Sequence, residues 1–174
     1  IFLYNKKDAF ASLILKLTKQ LYQLYCILQQ MLLDTGASRV SLIQYHNGGH
    51  SVNKQSFLKM SMSNEVIQVG MKPFISEFKD QFRSVLAFYT KELNERGYCY
   101  IENFETLFNI DNSMYEFLKC RNIQSKFGIA VHNKDHLVVG FIDVEFLDKE
   151  KVNLGLVKKS FNENKSAIET LLSL

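Results

Sequence analysis

The sequence predicts an α+β domain: an antiparallel sheet of about five strands, with long helices from the two chain ends on one face and crossover helices on the other. Three observations carry this. Apolar residues recur at helical spacing near both ends of the chain, the period changes to two between them, and turn residues divide the period-two runs into hairpins. At 174 residues and 47% hydrophobic content the chain has ample material for a full core, which excludes disorder as its main state.

From about Asp8 to Asp34, the residues Phe10, Ile14, Leu17, Leu21, Leu24, Leu28 and Met31 alternate spacings of four and three, and "DTGAS" supplies the stop. A strict seam of this kind suits a coiled-coil partner. Leu13, Tyr22, Tyr25, Ile27 and Leu32 widen it, so part of the helix is expected to face the domain and part a partner, with simple packing on the core as the competing reading. "RVSLIQYHN" (39–47) and "SFLKMSMSNE" (56–65) follow as strands, joined by a hairpin that turns at "NGG" and leaves His46 and His50 at its tip in solvent.

"PFISEFKDQFRSVLAFYTKELNERG", opened by Pro73 and closed by Gly97, reads as one crossover helix, and "SMYEFLKCRN" as a shorter one. "GYCYIENF" (97–104) is the strand between them. "SKFGIAVHN" (125–133) and "HLVVGFIDVEF" (136–146) are the closing pair, with "NKDH" as their tight turn. "NLGLVKKSFNENKSAIETLLSL" is again amphipathic, with Leu154, Val157, Phe161, Ile168, Leu171 and Leu172 on one side. The organisation is therefore an N-terminal helix over 1–36 that offers a dimer seam, an α/β core over 37–150, and a C-terminal helix over 151–174 packing with the first.

Several function classes are set aside by composition. The formal charge of +3 is spread over scattered lysines, so no nucleic-acid face is expected. Cys26, Cys99 and Cys120 are odd in number and form no CxxC pair, which argues against a disulfide framework or thiolate zinc site and fits a reducing, cytoplasmic compartment. No stretch approaches the ~20 apolar residues needed to cross a bilayer, and "IFLYNKKD" lacks the features of a signal peptide. The first residue is isoleucine, which reads as a fragment or processed product, with an upstream anchor, tail or effector left open.

No HExxH, P-loop, GxGxxG or Ser-His-Asp order is present, so neither an enzyme nor a bound cofactor is expected. His46, His50 and Glu65 make a thinkable metal set, but a solvated hairpin tip is the preferred reading of the histidines. Cys99, beside two tyrosines, reads as a buried strand residue before it reads as a nucleophile.

The residues that ask for a chemical explanation lie in the last strand. Alternation puts Asp143 and Glu145 on one face with Val139 and Phe141, opposite Gly140, Ile142 and Val144. Burying either carboxylate unpaired costs on the order of several kcal/mol. Each must therefore meet a cation, a ligand, water in a cleft, or an internal partner such as Arg39 or Arg121. If the first hairpin neighbours this strand, Tyr45, Ser61, Ser63 and Glu65 line the same cavity, with Phe74, Phe78 and Phe82 as its lid. The competing reading makes those phenylalanines plain core.

Together, the order of elements, "RVSLIQYHNGG", the closing "GIAVHNKDHLVVGFIDVEF" with Gly140, Ile142 and Val144 as "GxIxV", and the flanking helices resemble a GAF domain, the small sensory module related to PAS domains. The resemblance covers roughly residues 8–174. It implies a ligand-sensing or protein-interaction module, commonly dimeric through its terminal helices, and not an enzyme. It transfers no ligand. Asn133 and Lys134 sit in a hairpin turn, out of place for the cyclic-nucleotide signature, the chromophore-cysteine context is missing, and Cys99 and Cys120 do not form the pair of the methionine-sulfoxide-reducing members.

Two expectations follow. One is a sensory or regulatory module that binds an unidentified small molecule or a protein partner at Tyr45, Ser61, Ser63, Glu65, Phe74, Phe78, Asp143 and Glu145 and signals through a homodimer of its terminal helices. The other is a structural or assembly domain of the same fold without a ligand, of the kind carried by a phage or other mobile element.

Overall fold

Helix α1 spans Phe2–Thr35 and stops where Gly36 takes a left-handed conformation, φ 66°, with its amide bonded to the Leu32 carbonyl at 3.1 Å. Strand β1 (Arg39–His50) and β2 (Ser56–Ile67) form the first hairpin, and β3 is the two-residue edge strand Gln81–Phe82. Helix α2 (Ala87–Arg96) leads through Gly97 into β4 (Tyr98–Ile101). Helix α3 (Asn112–Lys119), β5 (Ser125–His132), β6 (Val138–Phe146) and helix α4 (Leu154–Leu172) complete the chain. The computed structural model describes the backbone of residues 2–50 and 56–173 and the side chains of residues 8–47 and 58–173.

The strands form one six-stranded antiparallel sheet in the order β3-β2-β1-β6-β5-β4. Helices α1 and α4 cover one face, where Leu24, Leu28 and Met31 of α1 and Val157, Phe161 and Ile168 of α4 meet Val40, Leu42, Ile142 and Val144. Helices α2 and α3 cover the other, where Tyr89, Leu93, Met114 and Leu118 pack over Ile43, Met60, Met62, Ala130 and Phe141. The α+β fold class and its two layers of helices are those the sequence predicts, with one strand more.

Three local expectations are corrected. Only the last part of the predicted 73–97 crossover is helical. Phe74 to Phe78 make a single turn, with the Phe78 amide on the Phe74 carbonyl at 3.1 Å; Asp80 then takes a φ of 54°, β3 pairs with Lys59 and Met60, and a 3-10 turn over Arg83–Leu86 precedes α2. The amides of Phe74 and Ile75 are held by the Glu65 carboxylate, and the Phe78 carbonyl accepts from the Met62 amide at 2.9 Å. Attachment to the sheet edge thus overrides the helical spacing of the phenylalanines.

The second correction is the hairpin turn: Asn47, Gly48 and Gly49 belong to β1, whose ladder runs on to His50 opposite Ser56 past a register irregularity. The tip, 51–55, lies outside the described residues, as does the side chain of His50. The third concerns β2. Leu42 faces Asn64 while Ile43 faces Met62, so Ser63 is bulged out, and Met60 and Met62 face one side of the sheet while Val66 faces the other. Simple alternation along 56–65 does not anticipate that reversal.

Candidate functional site

Sheet register, helix α2 and the β2–β3 connection together assemble a buried polar network on the α2/α3 side. In one row across the sheet Lys126 lies opposite Glu145 and Glu145 opposite Arg39; in the next, Gly128 lies opposite Asp143 and Asp143 opposite Ser41. Lys126 Nζ bonds the Asp143 carboxylate and Glu145 Oε1, the latter at 2.7 Å. Arg39 Nη1 donates to Glu145 Oε2 at 2.8 Å, and its Nε lies 2.8 Å from Glu65 Oε1. Lys126, Asp143, Glu145 and Arg39 are all at most 5% exposed.

Tyr89 completes the network from α2. Its hydroxyl donates to Asp143 Oδ1 at 2.5 Å, and its ring edge packs on Phe141 at a centroid distance of 5.7 Å. A Cβ at position 128 would lie 2.0 Å from that hydroxyl, so Gly128 leaves the space in which Tyr89 sits. Gly140 is constrained on the opposite side of the sheet, since a Cβ there would meet the Ile43 carbonyl at 2.2 Å.

The electrostatics follow from burial and pairing. Burial pushes Asp143 up to about 6, against the pull of Lys126. For Glu145 burial acts in the same direction, but Lys126 and Arg39 overcome it and hold the carboxyl below its usual range. Burial alone would lower Lys126; Asp143 and Glu145 reverse this and raise it. Tyr89 is raised well above the ordinary phenol value by burial and then by Asp143, so it acts as a neutral donor. Cys99, pushed up to about 12 chiefly by burial, is a protonated thiol and a poor nucleophile.

The eight residues singled out in the sequence separate into groups. Asp143, Glu145 and Glu65 join the network, and Glu65 also accepts from the Phe74 and Ile75 amides at 2.9 and 3.0 Å. Phe74 and Phe78 pack on each other and on Phe117. Tyr45 lies against Phe141 beneath the Arg83 guanidinium, 3.9 Å above its ring; its hydroxyl is buried, and burial pushes it up to about 12.

Ser61 points to the other side of the hairpin, 2.8 Å from His46 Nε2, and its oxygen accepts from the Asp80 amide at 2.9 Å. Ser63, in the bulge, donates to the Leu42 carbonyl at 3.3 Å. The structure therefore does not bring Ser61 and Ser63 to the carboxylates. Glu65 lies on Arg39 and not beside His46, so the thinkable metal set is dispersed. Among the described residues no group of three His, Cys, Asp or Glu side chains is placed to hold a metal ion.

Two members of the network escaped the sequence reading. Lys126 carried a partial signal, as a lysine on an otherwise apolar strand; its place opposite Glu145 depends on the register shift between Val131 and His132, which counting back from the "NKDH" turn does not give. Tyr89 carried none beyond the smallness of Gly128, because the contact depends on how α2 lies over the sheet.

No family model matches the sequence, and no curated protein matches it. Solved structures do. A far-red cyanobacteriochrome photoreceptor is 14% identical, with a TM-score of 0.60 over 98% of this chain and 99% of that one. GAF3 of a Synechocystis protein in its photoproduct state is 10% identical, with a TM-score of 0.59 over 87% and 95%. The GAF domain region of a Geobacter sulfurreducens protein is 12% identical, with a TM-score of 0.60 over 92% and 95%. At such identities the likeness speaks for architecture alone, and it agrees with the element order and layering described above: the chain has the GAF fold.

Proposed function

We propose that the chain is a non-catalytic sensory or regulatory module that works as a homodimer through the N-terminal half of α1. The observation that carries this is the exposure pattern along that helix. Leu24, Leu28, Met31 and Leu32 are buried against the sheet, whereas Phe10, Ile14, Leu17 and Leu21, in the same seam, are 66, 47, 45 and 54% exposed. Residues 8–23 thus run roughly 24 Å beyond the covered part of the helix at 1.5 Å per residue.

A helix so placed has no tertiary face to stabilise it and presents a contiguous apolar stripe to water. A second copy offers the same stripe with the same spacing, which a two-fold seam buries on both sides at once. Because the seam continues without a break into the core-packed residues, a rotation or shift in the dimer half is felt at β1 and β2. The free thiols Cys26, Cys99 and Cys120 suit a reducing, cytoplasmic setting.

Sedimentation equilibrium tests the dimer. The expected result is a dimer at micromolar concentration that Ile14→Glu with Leu21→Glu converts to a folded monomer with nearly unchanged melting temperature. A wild-type monomer at high concentration, or a dimer indifferent to both substitutions, refutes it.

A second reading, the ligand-free structural or assembly domain, is favoured by the side chains of Tyr89, Phe141, Met60 and Met62, which fill the space between the sheet and α2/α3. Native mass spectrometry separates the two: a small molecule retained through gentle purification supports sensing, and its consistent absence supports assembly.

A further inference from the structure

The β2–β3 connection and the end of α3 stand apart at one end of the sheet and leave a cleft of about 450 Å³. Arg39, Lys72, Phe74, Arg121, Asn122 and Leu147 are among the residues that line it, together with the Glu77 carboxylate. The size lies within the range that small-molecule sites occupy. This cleft combines a second cation, Lys72, with the state of Arg121.

The guanidinium of Arg121 is held between two aromatic rings, its carbon 3.8 Å from the Phe74 ring centroid and 3.9 Å from that of Phe117. Nη1 donates to the Phe117 carbonyl at 2.9 Å and contacts Cys120 Sγ at 3.4 Å. Nε is buried with no hydrogen-bond partner, and among the described residues no carboxylate lies within ion-pair distance of Arg121. The edge formed by Nε and Nη2, which matches a carboxylate or phosphate in bidentate fashion, is therefore unfilled on a side chain whose orientation is already fixed. A buried donor without an acceptor is unfavourable, and an entering oxyanion relieves it.

Lys72 stands across the cleft. Its ammonium is paired with Glu77 at 2.7 Å, but both side chains are more than half exposed. Such a surface pair contributes little and exchanges readily for another anion. Arg39 is different: its nitrogens are taken by Glu65, Glu145 and the Lys72 carbonyl, the last at 3.2 Å, so it is wall and not clamp. Phe74 and Leu147 add apolar surface beside the two cations.

We propose that this cleft binds a small organic oxyanion, a carboxylate or a phosphate monoester with an apolar body, held bidentately by Arg121 and by Lys72, its apolar part lying against Phe74 and Leu147. This deepens the sensory reading by naming a ligand class, and rests on that reading only for its regulatory meaning. The cleft is joined to the sheet by direct bonds, since Arg39 holds the Lys72 carbonyl and Glu65 holds the Phe74 amide. Occupancy thereby reaches the ends of β1 and β2 on which α1 lies.

The test is a nitrogen-edited NMR titration of the full chain with benzoate and, separately, phenyl phosphate, at constant ionic strength against sodium chloride. The expected result is a saturable shift of the Arg121 Nε–Hε resonance and of the Lys72 and Asn122 amides at millimolar concentration or below, weakened about tenfold or more by Arg121→Gln. The probe that saturates at lower concentration identifies the preferred oxyanion. Should Arg121→Gln not fold, Lys72→Met and the wild-type Nε–Hε signal decide the matter alone. No saturable shift, a response equalled by chloride, or shifts centred elsewhere overturn the proposal. The oligomeric state, read by sedimentation, is independent of this result, so failure of the cleft and failure of the dimer are distinguished.

Discussion

At the scale of single residues the structure turns on a few buried charges and the space made for them. Lys126 is bonded to two carboxylates that have no route to water, and replacing it with methionine removes the cation while leaving both anions in place. Lys126→Met is expected to cost about 3–5 kcal/mol in chemical denaturation, the range for breaking a buried pair from one side. Asp143 supplies a pH signature. Its folded value of about 6 is above the ordinary carboxylate value, so the native state takes up the proton first and the contribution of this group to stability grows as pH falls from 6 toward 4. The stability difference between wild type and Asp143→Asn should therefore shift in favour of wild type across that interval; a difference independent of pH there contradicts the assignment. Glu145, lowered, works in the opposite sense and is unaffected by that substitution in first order. Gly128→Ala forces a Cβ onto Tyr89 and should cost about 1–3 kcal/mol. The loss should shrink in a Tyr89→Phe background, where the hydroxyl is gone, and a fully additive double mutant speaks against the contact.

At the scale of elements, α1 is two helices in one. Its C-terminal half is core: Leu28 is fully buried, and Leu28→Ala should lower stability by about 2–5 kcal/mol. Its N-terminal half has the same spacing and no sheet beneath it, so Leu17→Ser should leave the unfolding free energy of the domain nearly unchanged while weakening self-association, measured by sedimentation. Equal losses at both positions would place the whole helix in the core. The heptad pattern was legible in the sequence, but where the sheet ends beneath it was not, because that depends on strand lengths and on how α4 shares the face. The 73–97 segment teaches the converse. Its phenylalanines have helical spacing, yet Glu65 binding the Phe74 and Ile75 amides and β3 pairing with β2 hold it at the sheet edge, where long-range hydrogen bonds outweigh a weak local preference.

At the scale of the whole molecule the sheet is buried through its middle and thin at its edges. Strands β1 and β6 are central and covered on both faces, while β3 has two residues and β4 four. Hydrogen exchange should therefore release the amides of β1 and β6 last, at the global unfolding free energy, and those of residues 8–22 first at low protein concentration. Protection of 8–22 that rises with concentration is expected if the seam is shared between copies; rapid exchange at all concentrations counts against the dimer. Among the described residues no helix is long and apolar enough to cross a membrane.

The sequence by itself determined the architecture: terminal helices from their spacing, strands from alternation, the closing hairpin from "NKDH", and two carboxylates on one face of β6 from period two. These are local regularities, written in neighbouring residues. Only the tertiary structure decided what those carboxylates meet, which half of α1 is exposed, and that Tyr89 fills the space over Gly128 while Arg121 keeps a buried Nε without an acceptor. Each of these depends on register between strands distant in sequence and on a helix laid across them. A one-residue bulge at Ser63 is enough to change which side chains share a face, and no local pattern announces it.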